Sequence, residues 1–229
     1  MKRLLSIFLA LSLLTLAFVA CNGNDMIDNP NPDNNEDTTP VVDPATSYTV
    51  SLPRTEKNTL FVQFTMEGGA TFVVELYPEY APGTVANFQS LVSKGFYDGL
   101  TFHRVVSGFM IQGGAPAENS PTPNKIEGEF AVNGFTQNTL SHERGVISMA
   151  RSGDPNSASC QFFIVHEDSS DSLDGKYAAF GRVIAGMETV DTIAALEVTS
   201  QPYSSERSRP KRIPVIESAY FVEYVPAAE

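Results

Sequence analysis

Along residues 60–66, Leu60, Val62, Phe64 and Met66 alternate with Phe61, Gln63 and Thr65, the period-two pattern of a strand with one buried face. After the turn Glu67-Gly68-Gly69-Ala70 the alternation resumes over 71–77 with Phe72, Val74 and Leu76 on one side, so the two runs predict an antiparallel hairpin. Residues 82–94 change period. Val85, Phe88, Leu91 and Val92 fall at helical spacing, Pro82 suits a first turn and Gly95 a C-terminal cap. A second helix is predicted over 186–196, with Met187, Val190, Ile193 and Ala194 on one face. Short apolar runs at 108–112, 146–150, 161–165, 178–183 and 213–224 are mostly bounded by turn residues and read as strands. Many short strands with two helices predict a mainly β fold, a closed or nearly closed sheet with helices covering its ends.

The N-terminus carries a different pattern. Met1-Lys2-Arg3 precedes an apolar stretch over 4–20 broken only by Ser6, Ser12 and Thr15, which reads as a secretory signal at the lower limit of length for a membrane span. Phe18-Val19-Ala20-Cys21 resembles the lipobox of bacterial lipoproteins, with Phe18 in place of the usual leucine. That resemblance implies a diacylglycerol on the Cys21 sulfur, a membrane-anchored lipoprotein of the bacterial cell envelope, and a periplasmic or surface-exposed domain. The other reading is an ordinary cleaved signal with an incidental cysteine. Residues 22–47 hold six Asn, five Asp, one Glu and four Pro with no Lys or Arg, a composition that cannot build a core. The predicted organisation is a signal peptide over 1–20, a lipidated Cys21 with a flexible acidic linker to residue 47, and a folded domain over 48–229. The linker would span about 25 to 30 Å as a coil. With Cys21 lipidated, Cys160 has no partner in the chain.

Charge narrows the partners. The 229 residues carry 27 acids and 15 bases, net -12. Setting aside the two bases of the leader and the six acids of the linker leaves 21 acids and 13 bases on the domain, net -8. Such a surface repels phosphate, which excludes nucleic acid as an expected partner. His103, His142 and His166 stand in no metal-binding frame, and no metal is expected. No G-x-S-x-G elbow and no phosphate-loop glycine spacing occurs. The basic run Arg207, Arg209, Lys211 and Arg212, interleaved with Ser208 and Pro210, reads as a solvated loop ahead of the last strand.

The segment Phe102-His103-Arg104-Val105-Val106-Ser107-Gly108-Phe109-Met110-Ile111-Gln112-Gly113-Gly114 sets charged and amide side chains inside apolar strands. Arg104 is the anomaly. It could simply pair with one of the domain's acids, or strand alternation could bring it with Phe109 and Gln112 to one rim, where a cation and an amide border an apolar pocket. This segment, with Gly145-Val146-Ile147-Ser148-Met149-Ala150-Arg151, Ser159-Cys160-Gln161-Phe162-Phe163-Ile164, Leu173-Asp174-Gly175-Lys176-Tyr177-Ala178-Ala179-Phe180-Gly181 and Ala81-Pro82-Gly83-Thr84-Val85-Ala86-Asn87-Phe88, resembles the cyclophilins, which are peptidyl-prolyl cis/trans isomerases.

The resemblance covers about 60–224 and implies a closed eight-stranded antiparallel barrel capped by two α-helices. It implies that Arg104 is the catalytic cation and that Phe109, Met110, Phe163 and Leu173 line a pocket for the substrate proline ring. Gln112, Ala150, Arg151 and Gln161 would meet the peptide backbone, while His103 and Tyr177 border the site. No cofactor is implied, and the implied partners are proline-containing polypeptides, exported proteins in need of folding among them. Ser172 stands where eukaryotic members often carry a tryptophan that contacts ciclosporin, Tyr177 replaces a frequent histidine and Arg151 a frequent asparagine, the last two as in bacterial members.

These residue types suit the chemistry. Amide resonance sets a barrier of about 18 to 20 kcal/mol to X-Pro rotation. A twisted amide has a basic, pyramidal nitrogen, to which a permanently charged guanidinium can donate only near the transition state. The rival readings are a non-catalytic module that holds proline peptides in the same pocket, and an adhesion or structural protein with no pocket function.

Overall fold

The structure is a computed structural model that describes residues 52–117 and 119–225. The predicted leader, Cys21, the acidic linker and the assigned domain start at residue 48 lie outside those residues. The strands are β1 (Phe61–Met66), β2 (Thr71–Leu76), β3 (Phe102–Val106), β4 (Met110–Gly113), β5 (Val146–Met149), β6 (Phe162–Val165), β7 (Ala179–Ala185), β8 (Val198–Ser200), β9 (Arg207–Pro210) and β10 (Ile216–Phe221). The helices are α1 (Pro82–Ser93), α2 (Ser170–Leu173) and α3 (Met187–Ala194). The predicted first hairpin is β1–β2, paired from Phe61 opposite Glu75 to Thr65 opposite Thr71. Both predicted helices are present, and the one-turn α2 is additional. It is too short to leave a periodic signal in sequence.

Eight strands form one antiparallel sheet in the order β10-β1-β2-β7-β5-β6-β4-β3. Its end strands do not pair along their length. The segments ahead of them meet at one isolated bridge, Thr101 opposite Val215, where Phe102 N–H donates to the Pro214 carbonyl at 3.0 Å and Ile216 N–H to the Leu100 carbonyl at 2.8 Å. The sheet is therefore a half-barrel, and the expected closed barrel is corrected to that extent: no hydrogen-bonded ladder joins its edges. One physical reason lies in β8 and β9. They pair with each other as a separate two-stranded sheet, and β9 packs beside β3. The Gln201 side-chain amide donates to the His103 carbonyl at 3.1 Å, so part of the β3 backbone is satisfied by a side chain instead of a strand.

The same hairpin corrects the expected loop over 207–212 in its first four residues, while Lys211 and Arg212 form an exposed bend ahead of the last strand, as expected. Arg207 and Arg209 face solvent while Ser208 and Pro210 are buried. The alternation of a strand is there, but its inward positions are a hydroxyl and an imino acid, which no hydrophobic pattern detects.

Two apolar clusters lie on the two faces of the sheet. On the helix-covered face, Phe64, Phe72, Phe88, Phe102, Phe162 and Phe180 are buried together, with Phe64 stacked on Phe72 at 4.8 Å and Phe162 edge-on to Phe88 at 5.9 Å. On the other face Met110, Val146, Phe163, Val165, Leu173 and Ala179 form a smaller cluster. β6 serves both. Phe162 and Ile164 enter the first cluster, Phe163 and Val165 the second, which explains its unbroken apolar run. A register slip of one residue would exchange the two sets, so burial on both sides pins the pairing of Gln112 with Phe163 and of Ser148 with Phe163.

α1 begins after Ala81, which offers no capping side chain. The Glu129 carboxylate takes that place from 46 residues away, accepting from Gly83 N–H at 2.9 Å and Thr84 N–H at 2.7 Å. A buried acid at a helix N-terminus satisfies two orphan donors and suits the local dipole. At the other end Gly95 (φ 63°) donates its N–H to the Val92 carbonyl at 3.0 Å, so the predicted C-terminal glycine sits just past the helix.

Candidate active site

The β3–β4 hairpin carries the predicted signature and departs from simple alternation at one point. Phe102 pairs with Gly113 and Arg104 with Gln112, so His103 is the extra residue of a bulge. Without it, Phe102 and Arg104, two positions apart, would face the same side. With it, Phe102 enters the aromatic core while Arg104 emerges on the opposite face beside Gln112. Gly113 is needed opposite the ring, since a Cβ there would stand 2.9 Å from Phe102 Cδ1. Gly108, at φ 76°, makes the turn ahead of Phe109. Its N–H donates to His166 Nδ1 at 3.0 Å, so Nε2 of that ring carries the hydrogen that faces Asp191 Oδ1 at 3.3 Å.

A cavity of about 170 Å³ opens against β3, β4 and β6 and the segment just after β5. Met110, Phe163 and Leu173 give its most buried apolar surface, Phe109, Ala150 and Tyr177 its partly exposed flanks, and Arg104, Gln112 and Arg151 its polar rim. All nine are residues named from the sequence. Gln161 and His103 are not in the lining: the Gln161 side chain accepts from Gln112 Nε2 at 3.0 Å, one step behind the wall, and His103 is displaced by the bulge. A larger cavity of about 310 Å³ lies elsewhere, against Gly83, Ile126, Glu127, Glu129 and Phe135. It gathers none of the predicted residues, and its buried acid is already spent on α1.

Arg104 satisfies both readings left open by the sequence. Nε donates to Glu206 Oε1 at 3.1 Å and Nη2 to the same oxygen at 2.6 Å, an ion pair with a residue just ahead of β9. Nη1 points the other way, to Gln112 Oε1 at 3.2 Å and Met110 Sδ at 3.8 Å, both in the cavity wall. The pair is partly exposed, with side chains 30% and 41% accessible, so its contribution to stability is small, about 0 to 1 kcal/mol. The hydrogen bonds from Arg104 hold the Glu206 carboxyl below the usual carboxylate range. Nothing in the sequence pattern points to Glu206, because the hairpin that delivers it is itself invisible to hydrophobic periodicity.

Arg151 is fixed differently. Nε and Nη2 both donate to the Lys176 carbonyl, at 3.0 and 2.9 Å, and Nη1 to the Ser152 carbonyl at 2.9 Å. Its guanidinium lies over the Tyr177 ring at 4.6 Å and the Phe130 ring at 5.0 Å. It clasps the segment after α2 to the end of β5 and so holds two walls of the cavity together.

Beneath Phe163 lies a polar chain, buried at Ser148 and His142 and open to solvent at Asp174, that periodicity does not reveal. His142 Nδ1 is 2.8 Å from Asp174 Oδ1, and Nε2 is 2.9 Å from Ser148 Oγ. Burial pushes the His142 pKa below its ordinary value, only partly offset by Asp174. The neutral ring therefore donates through Nδ1 and accepts the Ser148 hydroxyl proton at Nε2. Partial burial works against ionisation of Asp174, but hydrogen bonds from the His142 backbone, the Ser141 hydroxyl and the His142 ring hold its carboxyl below the usual range. The order serine–histidine–acid resembles a hydrolase triad, yet Ser148 is wholly buried and no substrate carbonyl can reach it. The chain is a support. It ties β5 to the segment just after α2, between Leu173 and Tyr177.

The site is thus an apolar slot with Arg104 Nη1 at its edge, suited to holding a ring and donating a hydrogen bond, with no exposed nucleophile in its lining. Comparison with known proteins agrees. Residues 61–220 match the family model described as cyclophilin type peptidyl-prolyl cis-trans isomerase/CLD. The chain is 46% identical over 125 residues to peptidyl-prolyl cis-trans isomerase B of Bacillus subtilis, covering 55% of this chain and 84% of that protein. It is 40% identical over 146 residues to a peptidyl-prolyl cis-trans isomerase of Acinetobacter baylyi, covering 61% and 73%. Among solved structures, a cyclophilin from Hirschia baltica superposes with a TM-score of 0.58 at 29% identity, covering 73% of this chain and 76% of that one. A cyclophilin type isomerase from Cryptosporidium parvum, crystallised in the presence of the dipeptide Ala-Pro, superposes with a TM-score of 0.59 at 27% identity, covering 72% and 99%. Fold, cavity and sequence together establish that this chain belongs to the cyclophilin-type peptidyl-prolyl cis-trans isomerase family.

Proposed function

We propose that the cavity over β3–β6 binds the proline ring of a polypeptide and that Arg104 speeds rotation about the preceding peptide bond. The observation that carries this reading is the position of Arg104 Nη1, at the wall of an apolar slot with Met110 and Gln112. Met110, Phe163 and Leu173 would grip the ring while the carbonyl before it turns. In the planar amide the prolyl nitrogen has no lone pair to offer. At the twisted geometry it does, and Nη1 or the free Nη2 hydrogen can donate to it, so the bond exists only where it lowers the barrier. Gln112, backed by Gln161, would fix the chain beside the ring.

Magnitudes show that the guanidinium cannot act alone. A charge-assisted hydrogen bond contributes roughly 1.5 to 3 kcal/mol, whereas five decades of rate correspond to roughly 7 kcal/mol. Anchoring the ring and excluding water from the polar planar amide would supply the rest. No bond to the protein forms or breaks.

Within this reading the chain is a lipoprotein. Cys21 would carry the lipid, residues 22–47 would hold the domain away from the bilayer, and the clients would be exported proteins folding in the cell envelope. Support for this part comes from the lipobox-like Phe18-Val19-Ala20-Cys21 and the composition that follows it. Exchange NMR or a protease-coupled assay on a short X-Pro peptide tests the catalytic part. Acceleration over the uncatalysed rate is expected, whereas peptide binding without acceleration would leave a holding module.

A further inference from the structure

The guanidinium of Arg104 is a partly exposed group at the end of a long side chain, asked to present one N–H to a short-lived geometry. A free arginine samples many rotamers, and each one that misses the substrate nitrogen is lost rate. Here its side-on edge is taken. Nε lies 3.1 and 3.2 Å from the two oxygens of Glu206, and Nη2 2.6 Å from one of them. Of the five N–H groups, this leaves one on Nη2 and the two on Nη1. Nη1 lies 3.2 Å from Gln112 Oε1 and 3.8 Å from Met110 Sδ, the latter a weak acceptor that a substrate nitrogen can displace. The carboxylate thus occupies the edge away from the cavity and leaves the catalytic end of the fork toward it.

Glu206 is itself held. Its N–H donates to Ser204 Oγ at 3.1 Å and its carbonyl accepts from Gln201 N–H at 2.9 Å, closing the turn between β8 and β9. The Gln201 side chain in turn donates to the carbonyl of His103, the bulged residue next to Arg104, and to the buried Ser208 hydroxyl, both at 3.1 Å. The hairpin is therefore fastened to the strand that carries Arg104, at the adjacent position.

We propose that Glu206 is a positioning residue for the isomerase reaction, a carboxylate clamp that holds the Arg104 guanidinium in its productive orientation. This inference rests on the isomerase reading above. The opposing possibility is that the carboxylate weakens the donor by neutralising it. That effect is a screened one at a partly exposed pair, whereas the orientation is geometric and is not screened.

The test compares wild type, Glu206→Ala, Glu206→Gln and Arg104→Ala by exchange NMR on an X-Pro peptide, together with the Arg104 Nε–H resonance, identified by its absence from Arg104→Ala. In Glu206→Ala, kcat should fall about tenfold with KM little changed, and the Nε–H should lose its protection from solvent exchange. Glu206→Gln, which keeps one acceptor oxygen and drops the charge, should retain more of kcat than Glu206→Ala. A kcat in Glu206→Ala equal to or above wild type overturns the clamp, as does a rise in KM at unchanged kcat, which would place Glu206 in peptide binding. A wild type without turnover overturns the isomerase reading and this inference with it, an outcome distinct from an active wild type with an unimpaired Glu206→Ala.

Discussion

The ring of His142 stacks on Phe163 at 6.0 Å, with 15° between the planes, and so backs the apolar slot with an imidazole that is itself anchored at both nitrogens. Replacing it leaves the Ser148 hydroxyl buried without a partner and removes a wall from behind Phe163. His142→Ala is expected to lower unfolding free energy by about 1 to 3 kcal/mol and to raise KM for a proline peptide. Urea denaturation and peptide titration check the two effects. Unchanged stability would mean that the polar chain is dispensable.

Arg104→Ala should keep the fold, because the side chain is partly exposed and its ion pair contributes little. Its kcat is expected to drop by about two decades, the upper end of what one charge-assisted hydrogen bond supplies. Arg104→Lys should restore little, since a point ammonium cannot engage Glu206 and the cavity at once. Near-normal turnover in folded Arg104→Ala would refute the catalytic role, and near-normal turnover in Arg104→Lys would refute the need for the guanidinium fork.

Phe109 flanks the slot from the turn that Gly108 makes. Phe109→Ala is expected to weaken peptide binding by about tenfold, the lower end of the roughly 1.5 to 3 kcal/mol released when a large apolar side chain is fully covered, because Phe109 is a partly exposed flank. It should reduce turnover as well. Calorimetry or chemical-shift titration decides, and unchanged affinity would remove Phe109 from the pocket.

Stability should depend on pH with a definite sign. Burial lowers the His142 pKa from 6.5 in the fold, and His103 shifts the same way for the same reason. As pH falls the unfolded chain takes up these protons first, so stability is full above about 6.5 and declines from there toward the lowered folded values. Asp174 and Glu206, held below 3.8 and 4.5, add a second loss as pH falls through their folded values. Melting temperature followed from pH 8 to 3 should show both. His142→Asn should reduce the decline between pH 7 and 5, and an unaltered profile would count against the assignment.

Cys21→Ser tests the anchor. In a bacterial host the wild-type chain should incorporate labelled fatty acid and fractionate with membranes, and the variant should do neither. A shortened chain starting at residue 48 should remain active on a soluble peptide, because the predicted site lies wholly within the domain. Labelling of the variant would contradict lipidation at that sulfur.

Much of this molecule is legible in its sequence. Regular alternation gave the β1–β2 hairpin, and helical spacing with Pro82 and Gly95 gave α1. The likeness of the 102–114 segment and of the segments 145–151, 159–164 and 173–181 to a family signature named nine residues that line one cavity. Those features are local, or they repeat a pattern that burial enforces on neighbouring residues. What failed is equally physical. β9 buries a serine and a proline in place of apolar side chains, α2 is a single turn, and the edges of the sheet stop short of a ladder because their backbone groups find other partners.

By itself, then, the sequence determined the strand and helix periods, the net acidic charge, and the identity of the residues available to a proline pocket. Only the tertiary structure decided which way they point and what holds them. The bulge at His103 turns Arg104 out of the core, Glu206 arrives from 102 residues away to grip its guanidinium, and His142 reaches Asp174 across 32 residues to back Phe163. Such contacts join polar groups distant in the chain. They leave no periodicity behind, because their partners are chosen by three-dimensional proximity and by the cost of burying a polar atom unpaired.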